Sequence, residues 1–298
     1  MNLESQHLKI KPIGLLMLLS LVWGANMAFV KFALPDITPL FMCAIRSLVA
    51  SICLFCWMKA KGLQIFPSRV MTLHGIVVGL LFGGEFAAIY VGLRLTTASA
   101  TYILLYTAPF FAAVGAHILI KDDRLSTFKV IGLIFAFVGV SGLFVGSQGQ
   151  GYHSLLGDLL ALIAGFMWGM TSVYVKKFLA TKTSAKHVLF YQLFFSAPFL
   201  FLMSFIFETG YVMGFSEITF YSLIYQSIIV AFISYLAWFE LIDRYPVSIL
   251  HAFSFFTPVF GVIISGLIML KESLGLNVLF ALVMVTIGTI IANRKAKG

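Results

Sequence analysis

The stretch Trp23-Gly24-Ala25-Asn26-Met27-Ala28-Phe29-Val30-Lys31, WGANMAFVK, returns 145 positions later as WGMTSVYVK, Trp168 to Lys176. Trp, Gly, Val and Lys coincide. Further along, the offset becomes 149. YVGLRLTTAS at 90–99 falls on FELIDRYPVS at 239–248, and TAP at 107–109 falls on FTP at 256–258. DRL at 123–125 falls on ESL at 272–274, and Gly139 falls on Gly288. Each match is weak alone. Their order along both halves defines an internal repeat, residues 1–150 and 151–298.

The repeat lies in a chain that is 61% hydrophobic, with only 10% charged residues over 298 positions. A soluble protein carries about 25% charged residues, so this composition specifies an integral membrane protein. Ten apolar segments are legible, near 12–33, 39–58, 72–93, 98–119, 127–146, 155–177, 187–207, 218–242, 248–270 and 275–293. Each is close to the ~20 residues a transmembrane helix needs. Half-length alternating strands of a β-barrel are absent from the pattern. The first run is too long for the core of a cleavable signal.

The net charge of +9 is distributed by side. Sixteen Lys and Arg fall in loops on one face; three, Lys31, Arg94 and Lys271, fall on the other, and Arg46 lies within a span. The positive-inside rule then places both termini in the cytoplasm, and the expected location is the cytoplasmic (inner) membrane. It also accounts for the basic balance without nucleic acid. Each half holds five spans. Five is odd, so the halves cross in opposite senses, which is the inverted-topology repeat of secondary transporters.

The mirrored Trp-Gly pairs, the Ala-Ser followed by a mid-helix proline in spans four and nine, and the acid after those spans resemble the EamA family of the drug/metabolite transporter superfamily. The resemblance covers nearly the whole chain. It implies an all-α fold of ten helices, 5+5, around a central cavity, working without ATP. It also implies substrates among amino acids, nucleosides, other metabolites and drugs. Glu85 departs from it, because that acid is not a general feature of the family.

Candidate site residues follow from position. Trp23 and Trp168 lie mid-span, away from the interfacial rims that tryptophan favours. Asn26 and Thr171 share a helix face with them three residues on, and Val30 and Val175 one turn further. A tryptophan with a polar neighbour makes either a binding wall or core packing. Tyr102 and Tyr106 in span four, with hydroxyls that need partners, point to a cavity or to an aromatic seam. Their repeat mates are His251 and Phe255. His251 is read as a titrating group or as an interfacial residue close to the cytoplasmic end. Pro109 and Pro258 kink equivalent helices, as hinges or as fixed bends. Glu240 is expected to snorkel. Asp122, Asp123 and Glu272 are expected to cap the fifth and tenth spans.

Glu85 is the costly residue. Counting at 1.5 Å per residue puts it about 12 Å below the outer surface and Arg46 on span two about 10 Å below. Asn26, Tyr106 and Gln226 come out at a similar level. Two readings stand: a buried Arg46–Glu85 charge pair, or Glu85 facing the cavity as a proton-coupling or substrate-binding group. The repeat mate of Glu85 is Ser234, so symmetry does not demand an acid.

The expected function is a secondary transporter for a small organic metabolite, amino-acid-like or aromatic, working by alternating access as a proton-coupled exporter. The alternative is a facilitative or exchange carrier for a nucleoside or cationic compound, with a non-transporting scaffold behind it. HExxH, GxSxG and GxxxxGK[ST] are absent, which argues against an enzyme or an ATP-driven pump. The cysteines, Cys43, Cys53 and Cys56, lack the second pair or histidines of a metal site. No cofactor and no metal is expected. Expected partners are the small-molecule substrate, the lipid bilayer and, optionally, a second copy in a homodimer.

Overall fold

A computed structural model describes residues 8, 10–96, 98–144, 154–264 and 276–294. Ten helical spans follow in order: α1 (Ile10–Ala33), α2 (Pro39–Ala60), α3 (Arg69–Leu93), α4 (98–119), α5 (Thr127–Phe144), α6 (Leu155–Leu179), α7 (Ala185–Phe207), α8 (Glu217–Arg244), α9 (Val247–Ile264) and α10 (Leu276–Ala292). Eight are long and apolar enough to cross a membrane, and α5 and α10 contribute shorter apolar helices. The expected all-α, ten-span architecture is present. The loop 146–153, Lys271 and Glu272 lie outside the described residues. "Near face" below means the ends of the bundle at Ile10 and Ala292, and "far face" the opposite ends.

Most of the helices are apolar on every side, with Leu73, Ile118, Leu155 and Phe205 exposed on the outside of the bundle. Without a hydrophobic drive between helices in lipid, small residues set which faces meet. Gly132 and Gly288 bring α5 and α10 together backbone to backbone, and Gly139 meets Met284 on the same crossing. The repeated Trp-Gly motif does the same at the centre. A Cβ on Gly24 would come within 2.7 Å of the Gly261 amide nitrogen and 2.8 Å of the Thr257 carbonyl on α9. A Cβ on Gly169 would come within 2.6 Å of the Ala108 carbonyl and 2.9 Å of the Ala112 nitrogen on α4. The motif thus points its tryptophan one way and a bare backbone the other.

What Gly24 and Gly169 pack against is the segment that follows each break. α4 consists of Ala98–Leu105 and Ala108–Leu119, and α9 of Val247–Ser254 and Phe256–Ile264. Pro109 and Pro258 stand in the first turn of the second segments, where a missing N–H costs nothing. The mirrored prolines therefore mark real interruptions. α8 carries a second irregularity, a π-helical stretch over Tyr225–Ser234, of the kind that recurs at functional sites.

Polar ties close the ends. On the far face, Glu208 at the end of α7 accepts the amides of Leu40 (2.8 Å) and Phe41 (3.1 Å) at the start of α2, and Ser204 Oγ donates to it at 2.8 Å. Asp36 accepts from the Ser216 amide (2.8 Å), Ser216 Oγ (2.6 Å) and Thr219 Oγ1 (2.6 Å). These three donors, the Ser216 hydroxyl foremost, hold its carboxyl below the ordinary value of 3.8. On the near face, Lys176 Nζ donates to the carbonyls of Ile242 (2.6 Å) and Asp243 (2.9 Å), closing the C-terminal end of α8.

Asp123 corrects an expectation. It does not cap α5, which starts only at Thr127. Its carboxylate is 2% exposed and accepts the Ser248 amide at 3.0 Å in the first turn of α9, with Ser248 Oγ and Lys129 Nζ (2.7 Å) completing it. An acid at a helix N-terminus was the right chemistry; the helix it serves is α9, 125 residues away in sequence. Asp123→Ala leaves the Ser248 amide and hydroxyl at the start of α9 without their acceptor, while part-exposed Lys129 keeps the Arg124 carbonyl at 2.8 Å. We expect it to cost about 1–3 kcal/mol, read as a lowered unfolding midpoint in detergent, with transport lost only in proportion to folded protein.

Candidate functional site

A cavity of about 810 Å³ runs from the far face, between Leu34, Leu93 and Asn277, to the middle of the bundle. Its walls come from both repeats. Of the sequence-predicted residues, Trp23, Asn26, Glu85, Tyr102, Tyr106, Trp168, Thr171 and Pro258 line it. Val30 also lines it, whereas Val175 is buried elsewhere.

Trp23 Nε1 donates to Ser234 Oγ at 2.8 Å, and Ser234 in turn donates to the Val230 carbonyl at 2.6 Å within the π-helical stretch. The partner of Trp23 is thus the repeat mate of Glu85. Across the pseudo-two-fold, Gly84 lies against Met167, which sets Glu85 at the level of Trp168. Serine in one half supports a tryptophan; in the other half the same position carries a carboxylate. Thr171 Oγ1 is turned back onto the Met167 carbonyl at 2.7 Å, and Asn26 Oδ1 makes no hydrogen bond.

The cavity floor is a chain of rings. Trp23 meets Trp238 edge-on at 5.2 Å between centroids, Trp238 meets His251 at 5.4 Å, His251 meets Trp168 at 5.6 Å, and Trp168 meets Tyr106 at 5.7 Å. Phe255 follows Tyr106 at 6.5 Å. This arc draws on α1, α8, α9, α6 and α4, and so joins both repeats. It corrects the placing of His251, which is 0% exposed, makes no hydrogen bond through either ring nitrogen and sits between two tryptophans. Neither His251 nor Phe255 lines the cavity; both back its floor.

Of the two readings of Glu85, the Arg46–Glu85 ion pair is not formed in this arrangement. Lys129–Asp123 is the one ion pair among the described residues. Glu85 is 7% exposed and lines the cavity. Arg46 is 1% exposed and lies behind the wall, with its guanidinium carbon 4.5 Å from the Phe86 ring centre and 5.9 Å from that of Phe82. Gln226 is buried too, its amide on Met42 Sδ at 3.4 Å. The polar level expected from depth is therefore split between cavity (Asn26, Glu85, Tyr106) and packing (Arg46, Gln226).

Sequence reasoning missed Lys31, Phe82, Phe86, Tyr90 and Tyr235 as lining groups. In the sequence Lys31 reads only as a far-side charge. Its identity with Lys176 in the repeated motif was the available signal, although Lys176 takes a different role. Among the lining residues, Lys31 and Glu85 are the two formal charges. The described residues contain no group of three metal-ligating side chains.

The family model described as "EamA-like transporter family" matches residues 10–145 and 155–294, one match per repeat. The chain belongs to the EamA-like transporter family. Among similar proteins, a "probable amino-acid metabolite efflux pump" of Escherichia coli is 27% identical over 282 residues, covering 91% of each chain. An "uncharacterized transporter YoaV" of Bacillus subtilis is 23% identical over 273 residues, covering 90% of this chain and 92% of that one. A protein known from a crystal structure superposes with a TM-score of 0.79 at 18% identity, covering 93% of this chain and 96% of that chain. The EamA assignment makes the protein a multi-pass membrane transporter.

Proposed function

We propose that the protein carries a zwitterionic, amino-acid-like metabolite with an aromatic or apolar side chain across the cytoplasmic membrane by alternating access, with both termini cytoplasmic and export as its direction. The carrying observation is the charge inventory of the cavity. One carboxylate, Glu85, and one ammonium, Lys31, stand on walls otherwise made of aromatic rings and neutral polar groups. A substrate ammonium meets Glu85, its carboxylate meets Lys31, and its side chain packs on Phe82, Phe86 and the two tryptophans. A volume of about 810 Å³ is within the roughly 300–1,000 Å³ of small-molecule sites. The efflux pump similarity of the Escherichia coli relative supports the same class.

The test is uptake of tritiated L-phenylalanine by proteoliposomes preloaded with unlabelled L-phenylalanine. Saturable exchange, competed by apolar and aromatic amino acids and not by nucleosides, is expected. Exchange no faster than in protein-free vesicles, across a panel of amino acids, overturns the reading.

A further inference from the structure

Arg46 is a costly residue to bury. It is 1% exposed, forms no ion pair, and its Nε and Nη2 make no hydrogen bond. Stacking on aromatic faces returns only part of what burial of an unpaired ion costs. A guanidinium offers five N–H donors in a fixed fork shaped for a carboxylate, and here that fork faces rings. Packing alone does not account for an arginine at this position, since methionine would fill the space without the cost.

The partner is close in the chain. Glu85 directly precedes Phe86, the ring on which Arg46 rests, and no group among the described residues pairs with its carboxylate. Phe82 and Phe86, one turn apart with centroids at 4.9 Å, both line the cavity while Arg46 does not. The two rings therefore partition a buried cation from a cavity-facing anion. With the cavity open to the far face, Glu85 stands on a wall that water can reach. When the cavity closes, that water leaves, and a lone carboxylate in the membrane interior becomes costly. A bound substrate ammonium removes the cost. Without substrate, something else must neutralise the acid before the carrier can return.

We infer that Arg46 is that internal counter-ion: in the substrate-free carrier Phe86 turns aside, Arg46 pairs with Glu85, and the carrier alternates empty. The inference rests on the reading of Glu85 as the site of the substrate cation. The unpaired cost of Arg46 in the open form is then released on closing, so both charges favour the same movement. An aromatic rotamer change is all the gate requires. The protein behaves as a facilitator able to carry net flux, rather than as an obligatory exchanger.

Two readouts test it, one without substrate. In a C43A/C53A/C56A background, Val30→Cys at the cavity mouth reports exposure to a membrane-impermeant maleimide. We expect R46M to raise its labelling rate at least threefold by holding the substrate-free carrier open. R46M/E85Q, with both charges gone, should return it to the parent rate, as should R46K. Equal rates in all four proteins overturn the inference. If R46M does not fold, R46Q replaces it with the same expectation. In proteoliposomes, R46M should lower net L-phenylalanine efflux into substrate-free buffer at least tenfold, while exchange against unlabelled L-phenylalanine changes less than twofold. Equal losses in both modes overturn the inference. So does parent protein that accumulates L-phenylalanine above equilibrium along an imposed pH gradient, since a proton would then hold the role. Absence of any phenylalanine exchange in the parent protein would sink the substrate reading, while the labelling readout would still decide the role of Arg46.

Discussion

Glu85→Gln should lower the apparent affinity for L-phenylalanine roughly 30-fold without weakening the fold. The side chain lines the cavity and has no hydrogen-bonding or ionic partner among the described residues, so the amide breaks no internal contact. Against a substrate ammonium the loss is large. Truncating one member of a desolvated charge pair costs about 2–5 kcal/mol. The opening of the cavity to the far face places this site near the lower end, and about 2 kcal/mol corresponds to roughly 30-fold. A second measurement separates recognition from damage. The parent protein should prefer L-phenylalanine over 3-phenylpropionate, which lacks the ammonium, by a similar factor, and E85Q should lose that preference. Unchanged discrimination in E85Q would remove Glu85 from substrate binding. An unfolding midpoint at or above that of the parent is expected in the same preparation.

Gly24 and Gly169 should tolerate no side chain. The Cβ alone would stand 2.7 Å from the Gly261 nitrogen in the first case and 2.6 Å from the Ala108 carbonyl in the second. These are backbone atoms of the segments that follow the two breaks, so no rotamer change relieves the overlap. Overpacking of this kind costs about 1–3 kcal/mol for a modest addition. Gly24→Ala and Gly169→Ala are each expected to lower the unfolding midpoint in detergent clearly, and the two leucine variants to yield no folded protein. Gly14 supplies the control on the same helix as Gly24: a Cβ there meets nothing within 4 Å, and Gly14→Ala should be neutral or slightly stabilising. Wild-type midpoints for both alanine variants would show that the helices separate more easily than the packing implies.

The repeat made both the architecture and half of the cavity legible. Trp23, Trp168, Tyr102 and Tyr106 were found because equivalent positions carried aromatic or polar groups where lipid would have accepted any apolar residue. Depth was legible as well, since a straight helix converts residue number into height. Azimuth was not. α2 and α3 are apolar all round, so their sequences carry no stripe that says which face is inward. Arg46 and Glu85 therefore share a level by residue counting, whereas in space Glu85 lines the cavity and Arg46 lies buried against the Phe86 ring. Asp123 failed for a related reason. Acids next to a helix in sequence are assigned to that helix, whereas the bundle brings the start of α9 to Asp123. His251 lies in the first segment of α9, where counting alone suggests the interface. The tryptophans that enclose it come from α6 and α8, and no local pattern announces them.

The aromatic arc from Trp23 to Tyr106 also sets where the membrane voltage is felt. Potential falls where water does not reach, and the cavity carries the far-side potential down to those rings. The remaining drop is concentrated across the arc and the packed half of the bundle beneath it. At 100 mV that drop is worth about 2.3 kcal/mol for each elementary charge that crosses it. Descent of a substrate to Glu85 crosses little of this field. In the proposed cycle the rearrangement that breaks the arc crosses nearly all of it, so voltage would act on the turning of the carrier, in proportion to the net charge that turns with the site, and hardly on its loading.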